Sequence, residues 1–93
     1  MAQAVVTLRI MPESPGADLH GVQSAAEQLI DEFVGEKGEK RVSIEPVAFG
    51  LNALKIMFVM DEQIGSTEPL EQKIAVLHGV GSVQVIDVRR AIG

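Results

Sequence analysis

Glu45-Pro46-Val47-Ala48-Phe49-Gly50-Leu51 separates two β-type runs, Arg41–Val47 and Leu51–Met60. Gly50 bends freely, so a two-residue connection at Phe49-Gly50 turns the chain back on itself as a hairpin. Pro46 lacks a ladder donor and places the first run at a sheet edge. The second run contains no proline or glycine. Its Leu54, Ile56, Phe58 and Met60 share one face, while Ala53, Met57 and Val59 share the other with Lys55. That pattern belongs to a central strand. The hairpin carries Phe49, one of three phenylalanines in a chain without Trp or Tyr. The ring either folds back over the sheet end as a core plug or faces outward as an anchor for a partner. Gly50 allows the turn that holds it outward, and aromatic residues dominate interface energetics, so the anchor is the reading adopted.

Outward toward the N-terminus, Ala4–Ile10 alternates with period two and reads as a strand. Apolar residues on its second face make it an interior one. Met11-Pro12-Glu13-Ser14-Pro15-Gly16 is a loop, and Asp18 is placed to cap a helix. Leu19, Val22, Ala26, Leu29, Ile30 and Phe33 recur at helical spacing, so an amphipathic helix is expected over Leu19–Val34. Gly21 weakens its first turn, Gly35 and Gly38 stop it, and the mixed-charge run Glu36–Arg41 reads as a solvated turn.

Toward the C-terminus, Asp61–Gly65 is a polar connector. Ser66 or Thr67 caps a second helix, with Pro69 in its first turn. Leu70, Ile74 and Leu77 form its buried stripe, His78 lies in its last turn, and Gly79 ends it. Ser82–Val88 is the fourth strand. Its alternation shifts between Val85 and Ile86, as a bulge would require. The order strand, helix, strand, strand, helix, strand defines a ferredoxin-like α+β fold, βαββαβ. Two helices cover one face of a four-stranded antiparallel sheet, with strands one and three central.

Composition narrows the function. Ninety-three residues make a single domain, above the ~70–80 residues below which a lone core needs staples. The absence of cysteine excludes disulfides and thiolate chemistry. No apolar run approaches the ~20 residues that span a bilayer, and Met1–Ile10 lacks a signal-peptide pattern, so a cytoplasmic setting without membrane contact is expected. A formal charge of −5 disfavours nucleic acid, whose binding is built on Lys and Arg. His20 and His78 are the only histidines and stand far apart, without ligand spacing. No serine sits in a nucleophile-elbow context, and Asp31-Glu32 and Asp61-Glu62 read as solvent-facing neighbours. A phosphatase site after strand one is disfavoured by Pro12, Pro15 and Glu13, and Gly79-Val80-Gly81 follows a helix instead of opening one. No catalytic residue, cofactor site or metal site emerges. A protein-binding regulator and a small-molecule-binding regulatory domain of the same fold remain.

Three segments carry a resemblance: strand one leading into Met11-Pro12-Glu13-Ser14, the tip from Glu45 to Leu51, and Val85-Ile86-Asp87-Val88-Arg89-Arg90. In this order and spacing the chain resembles the archaeal translation elongation factor 1-beta family over essentially its whole length. The resemblance implies a guanine-nucleotide exchange factor, not an enzyme of covalent chemistry. Its partner would be the elongation factor 1-alpha GTPase. It also implies that Phe49, matching the tip phenylalanine of eukaryotic relatives, contacts the GTPase, with Gly50, Leu51, Met11 and Pro12 beside it. In those relatives a lysine near the C-terminus intrudes at the magnesium site. Here no lysine follows Lys73, and Arg89 and Arg90 supply the nearby positive charge.

Overall fold

The computed structural model describes residues 2–91, in the order β1 (Gln3–Pro12), α1 (Leu19–Val34), β2 (Lys40–Pro46), β3 (Asn52–Asp61), α2 (Glu68–Ala75) and β4 (Val80–Ala91). Met1, at the head of the opening run, and the terminal Ile92-Gly93 lie outside the described residues. The strands form one antiparallel sheet in the order β2-β3-β1-β4, the expected ferredoxin-like βαββαβ arrangement. Pro46 lies on an edge strand, where its missing donor leaves no gap in the ladder.

One layer of core lies between the sheet and the helices. Ala4, Val6, Leu8 and Ile10 of β1 and Leu54, Ile56, Phe58 and Met60 of β3 meet Val22, Ala26 and Ile30 of α1 and Leu70 and Ile74 of α2. Phe58 therefore belongs to the core. Among the described residues, no helix covers the other face of the sheet. It presents Val5, Thr7, Arg9 and Met11 from β1 and Lys55, Met57 and Val59 from β3, following the two-residue alternation of strands.

Local chemistry sets both ends of α1. The Asp18 carboxylate accepts a hydrogen bond from the Gly21 N–H at 3.1 Å. A Cβ at position 21 would lie 2.6 Å from that carboxylate, so Gly21 makes room for the cap and is more than a weak point. Gly35, left-handed at φ 93°, returns its N–H to the Asp31 carbonyl, as a C-terminal glycine does.

Several expectations change. The run Glu36–Arg41 is not wholly solvated: β2 begins at Lys40, whose side chain is only 8% exposed and pairs with Asp31. That hydrogen bond holds the Asp31 carboxyl below its ordinary value. Asp31 and Glu62, read as solvent-facing, each neutralise a cation of another element, and Asp61 accepts from the Gln63 N–H. At α2, Thr67 holds the N-cap position without capping through its side chain. Ser66 Oγ instead accepts from the Glu68 N–H, while Thr67 Oγ1 donates to Glu71. The helix ends at Ala75, so His78 lies beyond it and Gly79 does not stop it. Tight turns from Ile74 to Leu77 and from Leu77 to Val80 lead into β4. β4 runs well past Ser82–Val88 at both ends, because β1 offers partners from Pro12 back to Gln3. The register shift opposite Thr7 and Leu8 leaves Ile86 unpaired with β1, the expected bulge.

Candidate functional site

At one end of the sheet, Pro46 of β2 is level with Asn52 of β3. The intervening loop is therefore Val47–Leu51, five residues long instead of the two expected. The Val47 N–H donates to the Leu51 carbonyl at 2.8 Å and closes it. Within it, Ala48–Gly50 forms a single 3₁₀ turn, with left-handed backbone at both Phe49 (φ 63°, ψ 31°) and Gly50 (φ 73°). A single glycine cannot explain the outward ring, since Phe49 itself adopts the conformation that a β-carbon disfavours by ~1–2 kcal/mol. The result is a phenylalanine 93% exposed to solvent. Nothing in folding alone favours such a state, and strained residues of this kind cluster at functional sites.

Met11 and Pro12 reach the same end of the sheet, since Ile10 pairs with Leu54. Met11 is half-buried and Pro12 buried, so Pro12 supports this end and offers no contact surface of its own. The support is tight. The Glu13 N–H donates to the Gly79 carbonyl at 2.9 Å, and a Cβ on Gly81 would sit 3.0 Å from the Pro12 carbonyl oxygen. Leu51 is half-buried at the loop's exit.

Arg89 and Arg90 are not beside this tip. They lie within β4, opposite Val5 and Ala4 at the far end of β1. Six residues separate Val5 from Met11, roughly 20 Å along a strand, and the molecule's longest dimension is 42 Å. The two arginines also point to opposite sides of the sheet. Arg89 shares the open face with Asp87 and pairs with it at 3.0 Å, whereas Arg90 shares the helix side with Ala4 and pairs with Glu62 at 2.7 Å. The positive charge read from the sequence is thus neutralised locally at both positions. Asp87 was legible as a partner, two positions before Arg89 on one strand. Glu62 was not, because only the fold brings it across 28 positions of sequence.

The seven proposed contact residues therefore lie at the two ends of the sheet. The profile of the EF-1 guanine nucleotide exchange domain matches residues 5–91, which include all seven. Elongation factor 1-beta of Methanobrevibacter smithii is 39% identical over 97% of this chain and 98% of its own length. The proteins of that name from Methanosphaera stadtmanae and Staphylothermus marinus are 40% and 37% identical, over 97% of this chain and 98% of their own lengths in each case.

The chain belongs to the EF-1 guanine nucleotide exchange domain family. Its role is therefore nucleotide exchange in translation elongation, and such a domain implies a GTPase partner. Among the described residues, no helix is long and apolar enough to cross a membrane.

Proposed function

We propose that this exchange domain acts on elongation factor 1-alpha, promoting GDP release and GTP loading in the cytoplasm, where elongation takes place. Phe49 carries this reading. An exposed ring on left-handed backbone at a loop tip is what a preorganised interface anchor requires. Gly50, Leu51 and Met11 frame it, and Pro12 holds the frame.

The mechanism is a coupling one. The domain binds the nucleotide-free GTPase more tightly than the GDP form. Linkage then requires that its binding weaken GDP by the same factor. The factor sets the rate of exchange, and the excess of free GTP sets its direction. Because the contact residues lie at opposite ends of the sheet, Phe49 and the Arg89–Arg90 strand end touch different parts of the GTPase. Phe49 supplies apolar anchorage. Arg89 and Arg90, whose ion pairs are exposed and individually worth ~0–1 kcal/mol, exchange their intramolecular acids for groups of the partner.

The test is release of a fluorescent GDP analogue from the cognate elongation factor 1-alpha, with and without this protein. Acceleration at substoichiometric factor is expected, and an unchanged rate would refute the reading.

A further inference from the structure

A partner that touches both ends of a four-stranded sheet has to cross one of its faces. Met11 at one end and Arg89 at the other both lie on the open face, opposite Ser82 and Val5 respectively. Between them, Thr7, Ser43, Lys55, Met57, Ile86 and Asp87 line a shallow depression of about 540 Å³. Met57, Val59 and Ile86 expose large apolar side chains here.

This face does not share the negative charge of the molecule. Arg9, Arg41, Lys55 and Arg89 are four of the chain's eight cations, whereas only Glu39, Glu45, Asp61 and Asp87 of its thirteen acids share the face. The face is therefore neutral, and the rest of the chain carries the whole −5. At its centre the arrangement opposes folding. Arg9 stands directly across the ladder from Lys55, and like charges so placed are destabilising. Glu45 relieves Lys55 at 3.3 Å, but no ion pair of Arg9 exists among the described residues. Its Nε is buried without a hydrogen-bond partner. That nitrogen is out of reach, but the side chain as a whole is only half-buried and has no acidic partner among the described residues, so its charge is left for a group supplied from outside.

We infer that the open sheet face is the seat of the GTPase, and that Arg9, with Arg41 and Lys55, receives acidic side chains of that partner. This rests on the exchange reading and names the face and the charges through which it works. A protein surface suits this face better than RNA does. The face has apolar side chains but no aromatic ring on which a base could stack, and Glu39, Glu45, Asp61 and Asp87 repel a phosphate chain.

The experiment compares wild type, Arg9→Met and Arg41→Gln in GDP release from elongation factor 1-alpha, with association rates measured across ionic strength. Arg9→Met removes the charge opposite Lys55 and the unpartnered Nε while keeping a long side chain, so its melting temperature should stay level or rise. Arg41 is exposed on the edge strand, so Arg41→Gln should fold as wild type does. Both should slow association by roughly tenfold at low salt, and both should flatten the wild type's decline with salt, which is screened over ~8 Å at physiological strength. A fall in binding beside unchanged or raised stability cannot come from a merely structural arginine.

Wild-type exchange with both variants at the wild-type rate, while Phe49→Ala is impaired, overturns this inference and leaves the exchange reading standing. No exchange by the wild type overturns the exchange reading itself. Sedimentation showing self-association that Arg41→Gln abolishes would assign the face to a second copy, whose remaining surface is acidic. Binding of a labelled single-stranded RNA that Arg41→Gln abolishes would assign it to nucleic acid. Either result overturns the GTPase assignment.

Discussion

Replacing Phe49 separates an anchor from a core plug through two measurements that move in opposite ways. Full burial of a phenylalanine is worth ~3 kcal/mol at the upper end of the usual range. Only 7% of this residue is out of solvent, its exposure being 93%, so truncation to alanine forfeits roughly 0.2 kcal/mol of burial. Alanine inherits the same left-handed backbone, so the strain does not change. Phe49→Ala should therefore melt within ~0.5 kcal/mol of wild type, as surface substitutions do. Glycine removes the left-handed cost of ~1–2 kcal/mol and returns ~0.5–1 kcal/mol through a freer unfolded chain. Phe49→Gly should thus be level with wild type or more stable by up to about 1.5 kcal/mol. Both variants lose the anchor, worth ~2 kcal/mol or more in binding, so exchange at limiting factor should fall on the order of 30-fold. The assays are urea denaturation and GDP release, run on the same preparations. A loss of ~3–5 kcal/mol, typical of an emptied core site, would refute the outward placement. Normal exchange by both stable variants would refute the anchor.

Arg89→Ala with Arg90→Ala should reduce GDP release several-fold in a domain that still folds, because its two exposed ion pairs together contribute no more than ~2 kcal/mol; an unreduced rate would move the function of that end elsewhere. Gly81→Ala should cost ~1–3 kcal/mol by overpacking, since the neighbours of its new Cβ are the backbone of Pro12 and Glu13, and a neutral result in a denaturant melt would show that the Met11–Pro12 end is not clamped by β4. The depressed Asp31 pKa means that the Lys40 pair stabilises the fold at neutral pH and loses that effect as pH falls through the lowered value. Melts of wild type and Asp31→Asn should differ at neutral pH and converge in strong acid, and a difference that grows on acidification would contradict the pairing.

How far the fold could be read from the sequence follows the range of the forces involved. The limits of α1 are set by its apolar stripe, the Asp18 carboxylate and the left-handed Gly35. All of these act within a few residues, so Leu19–Val34 was legible at both ends. The sheet order followed from one proline and from which strands were apolar on both faces. The end of α2 was not legible, because Gly79 is a stop signal that here serves the turn into β4 and not the helix. Nor was the length of β4. Its pairing under Arg89 and Arg90 is imposed by β1, more than 80 positions away in sequence at Val5 and Ala4.

The site divides along the same line. An aromatic beside a glycine at a hairpin tip is a local signal, and it led to Phe49. The sequence could not reveal that the strain sits on Phe49 itself, because a five-residue loop closed between Val47 and Leu51 demands two successive left-handed residues where one glycine was visible. Net charge says little about the docking face. A net −5 describes the whole chain, yet a partner meets one face at a time. Strand alternation brings Arg9, Arg41, Lys55 and Arg89 to the open side, while most of the acids lie elsewhere. For a domain that binds through a surface, the charges that govern docking are those of the face. At this face the buried Nε of Arg9 marks the position where folding alone leaves a bond unmade.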